Sequence, residues 1–180
     1  MAKNQILEEG QVYAVPLSDG SYTIAQLINH HPLGKKLSVD TFAFFNYKFD
    51  SLSELECKLE QLSLNKPFSI ATANGDPDDY DWQLLGLRTI AIDQGYKRNV
   101  SNLGNYNKSS TDPSIFLEPY FGLFPWDGYF KDDYLDEDIL SEAEIRDDVK
   151  YMRDYTTEEL KEILPSNSPK LIQRLKEEEE

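Results

Sequence analysis

The chain has 180 residues, enough to bury one hydrophobic core, and an ordinary share of apolar and aromatic side chains. Its charge is not ordinary: 18 lysines and arginines stand against 33 aspartates and glutamates, for a net charge of −15, and from residue 127 onward 8 basic residues face 18 acidic ones. A field of that sign repels phosphate backbones, which argues against direct nucleic-acid binding, and it attracts a basic protein partner and speeds its approach. No apolar run nears the roughly 20 residues of a membrane span. The opening "MAKNQILEEGQ" lacks the apolar stretch of a secretory signal, so a cytoplasmic location is expected.

In "QVYAVPL" both alternating sets of side chains are largely apolar, the pattern of a strand covered on each face, and Pro16 marks an edge or a strand end. Asp19-Gly20 suits the positive φ values of a tight hairpin turn, and "YTIAQLINH" returns as a second strand. "LSVDTFAFFNYKF" reads as a third, completing an N-terminal meander. The period then changes. Leu52, Leu55, Leu59 and Leu62 form one stripe of a helix that should pack on the sheet, with Ser51/Glu54 or Ser53/Glu56 as a capping box. "PFSIATA" is a fourth strand, "NGDPDDYD" an acidic turn, and "WQLLGLRTIAI" a fifth strand in which Gly86 marks a bulge or a close backbone approach.

From residue 93 to 114 the apolar pattern lapses into Asn, Ser, Gly and Lys, which predicts a long exposed connection. "IFLEPYFGLFPWDGYF" is dense in aromatics, but Pro119 and Pro125 argue against a continuous helix or central strand, so an irregular fold onto the core is expected. Thr156 and Glu159 form a capping box with Tyr155 and Leu160 as its hydrophobic staple, and Pro165 stops that helix. Ser168-Pro169 begins a last one, whose "KEEEE" tail puts negative charge at the negative end of the helix dipole and should fray. The expected architecture is α+β: a curved antiparallel sheet packed against helices. Residues 1–164 form one domain, and residues 165–180 add a C-terminal helix with an acidic tail.

Several chemical readings fail on residue type or spacing. Cys57 is the sole cysteine, off the leucine stripe, with no base beside it. His30 and His31 are adjacent in a strand and point to opposite faces, so they read as strand-end surface histidines and cannot share a metal. A calcium loop starting at Asp76 would need glycine at its sixth position and glutamate at its twelfth, where Asp81 and Leu87 stand. Neither a phosphate-binding glycine loop nor a nucleophile elbow nor a zinc-protease motif occurs, so no catalytic residue, metal site or cofactor is assigned.

What remains is "FPWDGYFKDDYLDEDILSEAEIRDD". Here Trp126, Tyr129, Phe130 and Tyr134 sit among Asp127, Asp132, Asp133, Asp136, Glu137 and Asp138. Aromatic anchors ringed by acids suit an interface with a basic surface, and the alternative is that the aromatics are core and the acids their solvated flank. The opening "GQVYAVPLSDGSYTIAQLI" resembles the start of the bacterial immunity protein 26 family, through Gly10, Pro16, Asp19, Gly20 and Tyr22, and "DWQLLGL" with Trp82 and Gly86 echoes a later segment of the same family. The likeness covers residues 10 to about 90. It implies an α+β protein that protects its producer by binding the polymorphic toxin encoded beside it, which agrees with the lack of a catalytic constellation in the residues; a basic nuclease would suit the charge. A second class of function is a ligand- or peptide-binding regulatory module with an aromatic groove lined by Tyr13, Tyr22 and Trp82. A third is a hydrolase using carboxylates between Asp76 and Asp81, which would need two of them facing one cleft.

Overall fold

The computed structural model describes residues 6–32, 38–92 and 111–179, which form two compact units, one within residues 1–113 together with 140–143, the other within 114–139 together with 144–180. The predicted connection over 93–114 lies almost wholly outside the described residues.

The first unit is built on a five-stranded antiparallel sheet of β1 (Gln11–Pro16), β2 (Tyr22–Pro32), β3 (Ser38–Phe49), β4 (Pro67–Thr72) and β5 (Gln83–Leu87), in the order β4-β3-β2-β1-β5. With its helices this is the α+β class read from the sequence. Residues Val12 to Val15 are buried throughout, as a strand with two apolar faces requires. Pro16 ends β1, where the missing amide costs no ladder bond. On one face Val12, Ala14, Ile24, Ala43, Phe45 and Ile70 pack with Leu55 and Leu59 of α1 (Leu52–Lys58) and the turn that follows it. On the other, Tyr13, Phe42 and Phe44 gather around Trp82, with ring centroids 5.1–6.1 Å from the indole.

The β1–β2 turn departs from expectation. Only Gly20 adopts a positive φ, +83°, whereas Asp19 does not. Leu17 N donates to Ser21 O at 2.8 Å and Gly20 N to Leu17 O at 3.0 Å, a three-residue loop with its glycine in the left-handed position. Asp19 serves through its side chain: Oδ1 accepts from the Ser21 amide at 3.0 Å, and Oδ2 lies 2.8 Å from Lys48 Nζ. Partial burial pushes this carboxyl up, but the bonds from Lys48 and Ser21 outweigh it and hold it below the usual carboxylate range. A carboxyl depressed on folding stabilises the fold above its unfolded pKa and loses that contribution as pH falls through its folded value. Asp19→Asn is therefore expected to lower stability at neutral pH, and the difference from wild type is expected to shrink as pH falls below the unfolded value of about 3.9 and through the lower folded value. Acid and urea unfolding curves of the two proteins check this, and a pH-independent difference would contradict it.

The predicted helix over 52–62 is α-helical only to Lys58; residues Leu59–Gln61 tighten into a 3-10 turn. Arg88 explains the change, since its Nη1 donates to the carbonyls of Leu59 at 2.8 Å and Leu62 at 3.1 Å, filling acceptors that a helix end leaves unmet. Ser51 is the N-cap, its hydroxyl accepting from Glu54 N at 3.2 Å, while the Glu54 carboxylate accepts from the Asp50 amide. β5 is likewise shorter than the expected 82–92. Val12 pairs with Gly86 and Tyr13 with Leu84, so Leu85 is an extra residue and Gly86, at φ +152°, sits in the bulge that the sequence foreshadowed. Gly10, at φ +98°, enters β1 so close to Arg88 that a Cβ would lie 2.7 Å from its carbonyl oxygen.

In the second unit the aromatic segment does form a helix, α2 (Ser114–Tyr120), with Pro119 in its last turn. Proline there cannot donate to the carbonyl of Ile115, four residues back. The Tyr129 hydroxyl donates to that oxygen instead, at 2.8 Å. The helix closes in a Schellman motif: Leu123 N donates to Glu118 O at 2.8 Å and Gly122 N to Pro119 O at 3.1 Å, with Gly122 at φ +72°. α3 (Thr157–Ile163) carries the capping box of Thr156 and Glu159 as expected. Tyr155, Leu160 and Leu164 join Leu171 of α4 (Pro169–Glu179) in one apolar cluster. The fraying expected of the tail does not occur as far as Glu179, because Glu177 and Glu178 find partners in Gln173, Arg174 and the Thr157 hydroxyl. Among the described residues, no helix is long and apolar enough to cross a membrane.

Candidate interaction surface

Residues 126–138 form a chain of turns, with no regular helix or strand. Fully buried Leu135 anchors it: its carbonyl accepts from Asp138 N at 2.9 Å and Ile139 N at 3.2 Å, and Tyr134 N reaches Lys131 O at 3.3 Å. Turns wound about one buried leucine send their short polar neighbours outward.

The ten residues singled out in the sequence divide by role. Trp126 is half-buried, its amide donating to Lys150 O at 2.8 Å, and Asp127 Oδ1 accepts from Met152 N at 2.7 Å, so this pair ties the segment to residues 150–152. Tyr129 is half-buried between Phe124 and Tyr134, with centroids 4.7 and 4.9 Å away and its hydroxyl held by Ile115. Asp132 is exposed but paired with Lys170, and Asp138 is half-buried. Phe130 is different: 64% exposed, it rests edge-on against Tyr134 at 5.0 Å, with Lys131 Nζ 5.8 Å from its ring. Asp133, Asp136 and Glu137 are exposed and have no basic partner among the described residues. The stretch thus contributes both core and surface, and its outward group is Phe130, Asp133, Asp136 and Glu137.

The groove expected from Tyr13, Tyr22 and Trp82 does not form. Tyr13 and Trp82 are buried in the aromatic face of the sheet, whereas Tyr22 packs on the opposite face with the α1 cluster. Burial, with Asp78, Asp40 and Asp76 nearby, pushes the Tyr13 hydroxyl up to about 12, and it donates to Gln11 Oε1 at 2.7 Å. Asp76, Asp78, Asp79 and Asp81 are exposed and lie on a 3-10 turn (Pro77–Tyr80) and its flanks, with Asp79 accepting from the Asp76 amide at 2.9 Å. Partial burial and the neighbouring Asp79 raise Asp76 above its usual range.

Sequence reasoning missed one polar pair. His30 Nδ1 lies 2.6 Å from Oδ1 of Asp40, its register partner on β3, and that carboxylate is 6% exposed and also accepts from Ser38 Oγ. His30 is therefore not a free surface histidine. The signal was present in "SVDTFAFF": a lone acid inside an apolar strand needs a donor opposite. Among the described residues, no group of three or more histidines, cysteines or acids is placed to hold a metal ion. Comparison of the chain with protein-family models, with curated proteins and with solved structures yields no match.

Proposed function

We propose that the protein is a cytoplasmic immunity protein that binds a basic toxin and blocks it by occlusion, without chemistry of its own. The observation that carries this reading is Phe130, nearly two-thirds exposed, in the same run of turns as three exposed carboxylates that make no ion pair among the described residues. An exposed phenylalanine contributes little where it stands, and unpaired acids repel one another; both gain from a partner with an apolar pocket rimmed by lysine and arginine. Lys131 and Lys170 of the chain itself engage Phe130 and Asp132, contacts of the kind a basic partner would make here. A lasting complex would bury on the order of 1,200–2,000 Å² in all, so Phe130 is its centre and not its whole extent. The resemblance in residues 10–90 supports the toxin as the partner class.

The reading frame immediately upstream should encode a toxin whose C-terminal domain is basic, and that domain is the binding probe. Reversing Asp133, Asp136 and Glu137 to lysine together is expected to slow association by about tenfold or more at low salt, with the difference shrinking as salt rises. Phe130→Ala should mainly speed dissociation. Stopped-flow or surface-based kinetics reads both, and an association rate indifferent to the triple reversal would sink this surface.

A further inference from the structure

The two edges of the sheet are treated differently. Beyond β4 the chain covers its own edge: Thr111 N donates to Thr72 O at 2.9 Å, Asn74 N to Thr111 O at 3.1 Å, and Leu140 N to Phe68 O at 2.9 Å. β5, at the other end, pairs only with β1, and among the described residues no backbone or side-chain group bonds the outer side of Gln83–Leu87. The bulge shapes what this edge presents. Because Leu85 is the extra residue, Leu84 and Leu87 pair with Tyr13 and Gln11 and so share one face, where they are 40% and 58% exposed. The ends of the strand are acidic. Asp78, Asp79 and Asp81 precede it, and Glu8 and Glu9, the latter with one carboxylate oxygen accepting from the His30 amide at 3.1 Å, come just before Gly10, whose carbonyl accepts from Arg88 N at 2.9 Å beyond the far end. Arg88, which follows the strand, is turned toward the carbonyls of Leu59 and Leu62 beyond α1.

We propose that the outer edge of β5 is a docking site for a short extended segment of a partner protein, apolar at alternate positions and basic at both ends. An added strand would meet the unpaired amides and carbonyls, set its apolar side chains beside Leu84 and Leu87, and place its terminal cations against the two acid groups, about 17 Å apart for a five-residue strand. Charge also decides against a second copy of this chain. Antiparallel pairing of β5 with itself would put Asp78 and Asp81 of one copy opposite Glu8 and Glu9 of the other, all of one sign. The bulge and the short length favour a brief, specific strand over open-ended pairing. This site lies in the first unit and does not depend on the residues around Phe130.

The test uses the full chain and four heptapeptides: Lys-Val-Thr-Val-Thr-Val-Lys, the same peptide N-methylated at alternate residues along one edge, the same peptide N-methylated along the other edge, and the version with glutamate at both ends. Amide hydrogen exchange across Gln83–Leu87 is the readout. The lysine peptide is expected to bind below about 1 mM and to slow exchange in β5. N-methylation of one of its edges should weaken binding at least tenfold, the glutamate peptide should not bind, and reversal of Asp133, Asp136 and Glu137 should change nothing. Equal binding by both N-methylated forms would mean charge adsorption alone and would overturn the proposal. So would protection elsewhere, no protection, or protection that grows with protein concentration in the absence of peptide.

Discussion

Gly122→Ala is expected to destabilise the protein by about 3 kcal/mol, of which about 1–2 come from forcing an L-residue into the left-handed region and the rest from overpacking. Gly122 closes α2 at φ +72°, and a Cβ there would lie 2.3 Å from the carbonyl oxygen of Asp148, a backbone atom that cannot rotate away. Either the Schellman closure or the strand of chain at 148 must shift, and the loop that depends on both includes the Tyr155 hydroxyl, which donates to Gly122 O at 3.3 Å. Gly20 provides the control. Its φ is +83°, yet a Cβ there meets nothing within 4 Å, so Gly20→Ala isolates the conformational cost and should lower stability by only about 1 kcal/mol. Urea unfolding of both variants checks the pair. Equal losses would mean that the close approach at Asp148 is not a constraint in solution.

Trp82→Ala should cost about 3–5 kcal/mol, the range for removing a large aromatic from a packed core. The indole is 6% exposed and is the hub of its face, 5.1 Å from Phe42, 5.8 Å from Phe44, 6.1 Å from Tyr13 and 5.5 Å from Tyr80. Two of these contacts, with Phe42 and Phe44, are edge-on at 85°, the arrangement that adds about 0.5–1.5 kcal/mol per pair beyond burial. Four rings cannot all close on the void, since three of them stand on paired strands. Trp82→Phe should recover more than half of the loss, and its failure to do so would assign the effect to the turn before β5 instead of the ring cluster. Thermal unfolding followed by far-ultraviolet circular dichroism distinguishes these outcomes.

Where a residue pattern reports on local chemistry, the sequence was a good guide. The meander, the leucine stripe, the Thr156/Glu159 cap and the Gly86 bulge each follow from spacing within a dozen residues. What failed depended on partners far along the chain. Helix α1 tightens at its end because Arg88 arrives 29 residues after Leu59. Pro119 is tolerated in α2 because Tyr129 supplies the missing donor. The glutamates of α4 hold their helix because Thr157 reaches Glu178 from α3. The candidate surface was legible in composition and not in detail: no periodicity separates Phe130, which points outward, from Tyr129, whose ring lies between two others. The exposed β5 edge was hidden for the same reason, because strand order is a property of pairing and not of any single segment.

That strand order constrains biosynthesis. β1 is interior only once Gln11 has found Leu87, so β1 waits for β5, made some seventy residues later. Until then the nascent meander carries a wholly apolar run, Val12 to Val15, along a bare margin, the kind of surface on which partly made chains adhere to one another. A chain cut between Tyr80 and Trp82 would retain four strands and this same margin for good. Its fate should be precipitation, whereas a release point after Ile92 restores the missing neighbour.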